Sequence, residues 1–250
     1  MSVVTHDFTT GRYRELVTAA VARFTFARFG ETVPPAPVAL WRHDIDFSPQ
    51  RAVALARIDR EMDVTATCFV QVSSRFYSVF EPEIAAAVRM IAALGHDIGL
   101  HFDAAVADGV DACSGEPRLR LEADALERTA GVPVRSFSLH NPTTVDVDWL
   151  DGASVAGLVN ASHPALREQF SYCSDSNGIW RHRSLHDLVA DREVTRLYAL
   201  THPEWWQDTA MPPRQRVQRC IDGRAAAAGR HYDELLERHG RPNVGKAGSR

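Results

Sequence analysis

Two short segments hold residue types that could do chemistry together: WRHDIDF, Trp41 to Phe47, and GHDIGLHFD, Gly95 to Asp103. In the first, Asp44 and Asp46 stand at i and i+2, so on an extended strand both carboxylates project to one side. Two like charges that close repel each other, and something positive should lie between them. A divalent cation answers that need: it takes one carboxylate as a ligand and leaves the other as a base for a water that the ion activates. His101 and Asp103 repeat the spacing in the second segment. Imidazole with carboxylate suits zinc and neighbouring first-row metals, whereas calcium and magnesium prefer oxygen ligands alone. The two segments therefore predict one site for a divalent transition metal, with Zn as first choice and Co, Mn or Ni as the others.

Such a site needs elements that bring its parts together. VALWRHDID reads as a strand with a polar end, and SPQRAVALARIDREMD as a helix with Ser48 at its N-cap and Pro49 at its first position. TATCFVQV is β-rich, EPEIAAAVRMIAALG is a helix closed by Gly95, and DIGLHFD is again a strand with a polar end. RLRLEADALERTAG, a helix ending at Gly131, precedes VRSFSLHNP, a strand that runs into His140, Asn141 and Pro142. GLVNAS, FSYCSDS and RLYALTHP are the later strands, with SLHDLVAD between the last two, and a long helical segment from PPRQRV closes the chain. Ahead of them, GRYRELVTAAVARF has helical spacing and FTFARFG alternates like a strand. Strands alternating with helices imply a parallel sheet with crossover connections. The expected class is α/β, a single-domain distorted or incomplete (β/α) barrel with about seven parallel strands. Residues 1–243 are expected to form that domain, with 1–38 as an N-terminal helix and strand extension and 244–250 as a disordered tail.

In such a barrel the carboxyl ends of the strands share one face, where the βα loops surround the mouth. Asp44, Asp46, His101, Asp103, His140, Asp175 and His202 all stand at these ends. Taken singly, an Asp or His there is more often a cap or a satisfied core residue, and Asp44 could simply cap the Ser48 helix. Recurrence at five strand ends reverses that preference. His43 and His96 point away by alternation or lie at a loop end, and read as structural. His140, Asn141, Trp180, Arg181, Trp205 and Trp206 offer stacking surfaces and hydrogen-bond donors for a small ligand.

The chain as a whole narrows the class. Its 250 residues can bury a substantial core, and a net charge of -4 argues against non-specific nucleic-acid binding. No run of about 18 apolar residues occurs, so no membrane partner is expected. The amino terminus, MSVVTHDFTTGRYRELV, lacks a charged leader followed by an apolar stretch; with Met1 as the true start, the expected location is the cytoplasm. Cys68, Cys113, Cys173 and Cys220 are widely spaced, form no CxxC pair and read as reduced thiols. The expected partner is a small-molecule or carbohydrate substrate, and the oligomeric state is open.

At these same residues the chain resembles the polysaccharide deacetylase superfamily, the NodB-homology or carbohydrate esterase family 4 group, and especially its divergent, non-secreted branch. The resemblance spans most of the chain. WRHDIDFSP is similar to the family's first motif, whose first Asp is the general base and whose second is a metal ligand; this implies Asp44 and Asp46 in those roles. TATCFV resembles the strand that follows, and GHDIGLHFD the second motif, whose first metal histidine matches His101. The family carries another histidine four residues on, where this chain has Ala105. His140 in SFSLHNP, where the third motif falls, is the first choice as substitute ligand, and Asp103 the second. LTHPEWW resembles the last motif, which implies His202 as general acid with Trp205 and Trp206 walling the pocket. SYCSDSNGIW lies near the family's orienting Asp, which implies Asp175; as a plain turn residue beside Asn177 and Gly178 it has an equal claim. The implied reaction is hydrolysis of an N-acyl group, N-acetyl first, from a sugar, sugar conjugate or small biosynthetic intermediate. Two other readings stand beside it: a metal-free binding or scaffold protein on the same fold, and a hydrolase of another non-peptide C–N bond in a cyclic amide or ureide.

Overall fold

The computed structural model describes residues 5–72, 74–104, 115–141 and 148–245; Met1, Ala105, Cys113, Pro142 and residues 246–250 of the expected tail lie outside that set. Its elements run α1 (Thr10–Val21), β1 (Thr25–Ala27), β2 (Val38–Ile45), α2 (Pro49–Glu61), β3 (Thr67–Val70), α3 (Pro82–Ala93), β4 (Asp97–Phe102), α4 (Glu116–Ala130) and β5 (Ser136–Leu139). There follow β6 (Ser154–Val155), β7 (Leu158–Asn160), α5 (Pro164–Gln169), β8 (Ser171–Ser174), α6 (Leu185–Ala190), β9 (Arg196–Thr201) and α7 (Pro213–Arg238). Local chemistry sets the boundaries. Ser48 accepts from the backbone N–H of Arg51 and caps α2 ahead of Pro49, a contact worth about 1 kcal/mol. Gly131, at φ 74°, ends α4 in the left-handed backbone that only a residue without Cβ adopts freely.

The strands form one sheet in the order β6-β7-β5-β4-β3-β2-β9-β8, with β1 also pairing β2. Every pairing is parallel except β6 with β7, so the seven strands from β7 to β8 along that path run one way, as expected. The antiparallel β6 and the short α5 had no counterpart in the sequence reading, because two- to six-residue elements carry too few positions to show a period. The sheet curls: Tyr198 on β9 donates to the carbonyl of Ala161, just past β7 and five positions away along the sheet, at 2.6 Å. Among the described residues β6 and β8 do not pair with each other, so the barrel is incomplete.

Alternation along β2 assigns its residues to different layers. Ala39 and Trp41 face α1, α2 and α6, and pack with Leu16, Leu55 and Leu188. Leu40, on the other face, joins Phe69, Tyr198, Ala161 and Phe170 inside the curl. α3 and α4 cover the remaining strands through Val88, Ile91, Leu119 and Leu126 against Ile98, Leu100 and Phe102. Helix α1 is built into this packing, since its Tyr13, Leu16, Val17 and Ala20 are buried there. α7 behaves differently, with Arg216 its single buried residue. Among the described residues no helix is long and apolar enough to cross a membrane.

Candidate metal centre

On the inner face of the curl a group of titratable residues gathers toward the carboxyl ends of the strands. Arg42 and Asp44 follow Leu40 at alternate positions of β2, and Asp46 stands one residue past the strand end. On β4 the inward residues are Gly99 and His101. A Cβ at Gly99 would lie 2.4 Å from the Phe69 ring, so the glycine makes room for that ring, and the ring in turn lies under the Arg42 guanidinium at 5.0 Å. His101 sits in register with Ser138 of β5, whose hydroxyl is 2.7 Å from its Nδ1. That contact leaves Nε2 facing Asp46 Oδ1 at 3.1 Å. His140 follows the end of β5; its Nδ1 lies 3.1 Å from Asp103 Oδ2 and its Nε2 4.0 Å from Asp46 Oδ1.

Asp46, His101 and His140 form a group that could hold a metal ion, each offering one ligand atom within 4.8 Å of the others. The donor set fits a divalent transition metal: one carboxylate oxygen and two imidazole nitrogens, with each histidine's other nitrogen engaged by Ser138 or Asp103. Burial works against ionisation of Asp46, but the hydrogen bond and charge of His101, with His202 and His140 beyond it, hold the carboxyl well below its ordinary range. It is therefore an anion ready to act as a ligand at neutral pH.

Asp44 is bound differently. Both of its oxygens accept from Arg42, Nε to Oδ1 and Nη2 to Oδ2, each at 2.6 Å, and Oδ2 is 3.6 Å from His101 Nε2. Burial again opposes the charge, and Arg42 and His101 outweigh it, so its pKa is lowered. The positive partner that the Asp44–Asp46 spacing demanded is thus, for Asp44, an arginine of its own strand. His202, one residue past β9, has Nδ1 2.6 Å from Asp175 Oδ1, while its backbone N–H donates to the same carboxylate at 2.9 Å. Trp206 donates its indole N–H to the other oxygen at 2.9 Å. Burial would discharge the imidazole; the hydrogen bond and charge of Asp175, helped by Asp46 and Asp44, instead push its pKa up to about 10. Its Nε2 lies 4.0 Å from Asp46 Oδ2.

The chain matches no protein-family model and no curated protein. The Streptococcus pyogenes deacetylase PplD, in its structure in complex with acetate, is similar at a TM-score of 0.34 and 13% identity, over 52% of this chain and 66% of that one. The chain thus spans just under two thirds of that protein's length. At that score the likeness says nothing of the chemistry.

The geometry sorts the expected site residues. Asp44, Asp46, His101, His140, Asn141, Arg181, His202 and Trp205 line one cavity of about 640 Å³, a size that takes a small ligand. Asp103 and Asp175 are not among its lining residues; they sit behind His140 and His202 and hold their rings. Trp180 and Trp206 do not line it either. They pack with Phe8, Trp180 stacked on it at 5.1 Å and Trp206 tilted at 5.2 Å, so that Trp206 is buried in the core and Trp180 is partly buried against it. His43 and His96 are held by structural partners, Asp59 and Thr201 for one and the backbone of Ala56 and Ala66 for the other.

Three residues of the site were not anticipated. Arg42 was legible, standing at i−2 from Asp44 in the alternation that linked the aspartates. Ser138 carried only its place on β5 opposite His101. Glu204 gave no sign: in the turn after His202 it is fully buried, and neither carboxyl oxygen has a hydrogen-bond partner among the described residues. Burial, with Asp46 nearby, pushes its carboxyl well above the usual range.

Proposed function

We propose that the chain is a metal-dependent hydrolase that removes an N-acyl group, acetyl first, from a sugar, sugar conjugate or small biosynthetic intermediate. One observation carries the reading: a cavity wall sets the Asp46, His101 and His140 group beside an imidazole, His202, that a buried carboxylate keeps protonated. Amide hydrolysis needs both halves, because an amide anion leaves too poorly without a proton. A divalent ion held by the three ligands, Zn first and Co, Mn or Ni next, would polarise the acyl carbonyl and acidify a water.

The protein's own groups supply the rest. Asp44 is the base, kept ionised and aimed by the two Arg42 bonds; that pairing reduces its basicity, which an acidified water offsets. His202 donates from Nε2 to the departing nitrogen, and Asp175 fixes the ring so that Nε2 faces the cavity. A cation beside Asp46 would also draw the His202 pKa down from its elevated value toward the range where proton donation and recovery are both fast. A cytoplasmic setting, supported by Cys68, Cys173 and Cys220 being free thiols, favours a small intermediate over a wall polymer.

The test is metal analysis together with acetate release from a panel of N-acetyl sugars and conjugates, using protein loaded in turn with Zn, Co, Mn and Ni. Stoichiometric metal with acetate release that His202→Gln lowers by on the order of 10² to 10⁴ is the expected result. Substoichiometric metal after loading would point instead to a binding protein. Full loading with ring opening of a cyclic amide, and no acetate, would mark a hydrolase of another C–N bond.

A further inference from the structure

Among the described residues the cavity's charge is uneven, and the excess is positive: the lining carboxylates are Asp44 and Asp46, both at the metal end, whereas four arginines line it, Arg42, Arg167, Arg181 and Arg183. Arg42 is committed to Asp44 and Arg183 to Asp191. Arg167 and Arg181 have no carboxylate partner among the described residues. Both belong to the α5 and β8 side of the molecule, with β8 four and five positions along the sheet from the strands that carry His101 and His140.

Arg167 is not loosely placed. Its guanidinium carbon lies 4.5 Å from the centroid of the Tyr172 ring on β8; Tyr172 packs edge-on against Tyr198 at 5.2 Å, and the Tyr198 hydroxyl accepts from Arg42 at 2.6 Å. A stacked guanidinium uses its π face, so its N–H donors remain for acceptors in the cavity. On the same wall the Ser174 and Ser176 hydroxyls, 2.8 Å apart, add neutral donors. Planar guanidinium forks recognise oxyanions in paired hydrogen bonds.

The geometry points to a substrate with an oxyanion, a phosphate or a carboxylate, held against Arg167 and Arg181 while its N-acyl group lies at the metal centre. The substrate class is then an acidic or phosphorylated N-acyl sugar or conjugate and not a neutral glycan. This inference rests on the hydrolase reading for the acyl end of the cavity, and on the arginines alone for the other.

Calorimetric binding to metal-loaded protein tests it with three probes: N-acetylglucosamine 1-phosphate, the uncharged methyl glycoside, and an N-acetylated hexosaminuronate. The phosphate or the carboxylate probe should bind about 10-fold tighter than the glycoside or better, and whichever binds more tightly names the oxyanion. Arg167→Gln with Arg181→Gln should bring charged and neutral probes to parity, with each single change losing part of the difference. Both side chains are exposed, so the double variant should keep its unfolding temperature. Equal binding of charged and neutral probes overturns the inference, as does discrimination that survives in the double variant. So does failure of every probe and of inorganic diphosphate to bind. The two readings separate in Asp46→Asn: anion binding that persists there, with acetate release absent in every form of the protein, keeps the arginine subsite and sinks the hydrolase. Acetate release from the neutral glycoside that the double variant leaves unchanged, with no preference for charge, does the reverse.

Discussion

His43 and Asp44 are neighbours on β2, yet they serve opposite sides of the sheet. His43 points to the helices, with Nε2 2.7 Å from Asp59 and Nδ1 2.6 Å from Thr201; Tyr13 donates to Asp59 at 2.7 Å and accepts from Trp41 at 2.9 Å. The His43 ring is fully buried and both nitrogens are engaged. His202 and Asp175 make a pair of the same kind at 2.6 Å, but there the second nitrogen turns to a cavity and an Asp46 carboxylate oxygen 4.0 Å away. A histidine–carboxylate pair closed at both nitrogens ties elements together. The same pair with one nitrogen open can move a proton.

The contrast breaks outright if variants on the two faces fail in the same way. Asp46→Asn should have the largest effect on the inner face: purified protein should carry substoichiometric metal and release no measurable acetate while its unfolding transition stays cooperative. His202→Gln should follow, lowering turnover by on the order of 10² to 10⁴ with metal content unchanged. Asp175→Asn keeps the His202 ring but removes the charge that raises its pKa, so the imidazolium deprotonates at lower pH. The alkaline limb of the pH–rate profile should therefore move to lower pH; a limb that stays put would detach Asp175 from the acid. On the outer face, His43→Gln should reduce unfolding free energy in urea by about 1–3 kcal/mol, since Asp59 loses a buried partner, while acetate release per folded molecule holds. Turnover lost with stability intact would make His43 part of the chemistry and erase the distinction.

How much of this was legible depended on how local the cause was. The order of strands and helices followed from turn residues and alternation, and Ser48, Pro49 and Gly131 stand at the ends they marked. The convergence of Asp46, His101 and His140 was legible too, because a parallel sheet puts all its carboxyl ends on one face. What sequence could not separate were side chains sharing a strand end but not a direction. Trp205 lines the cavity and Trp206 is core, a difference set by the single turn Pro203–Trp205 and by Phe8, almost 200 residues earlier. Glu204 was illegible for the same reason: its burial comes from packing by elements remote in sequence.

The finest version of the contrast lies within the metal centre, between the residue that would bind and the residue behind it. Asp103 had a claim to the third ligand position; its oxygen instead faces His140 Nδ1, the nitrogen turned away from Asp46. A carboxylate in that place fixes the ring and makes Nε2 a better donor, and losing such a partner costs about 10–100-fold in metal affinity. Asp103→Asn should weaken Zn by that amount in competition with a chromophoric chelator, because an amide oxygen still accepts from Nδ1–H but no longer contributes its charge. Asp103→Ala, which also frees the ring, should be the weaker binder of the two. If Asp103 were itself the ligand, both variants would lose the metal as completely as Asp46→Asn, and His140→Ala would be the milder change.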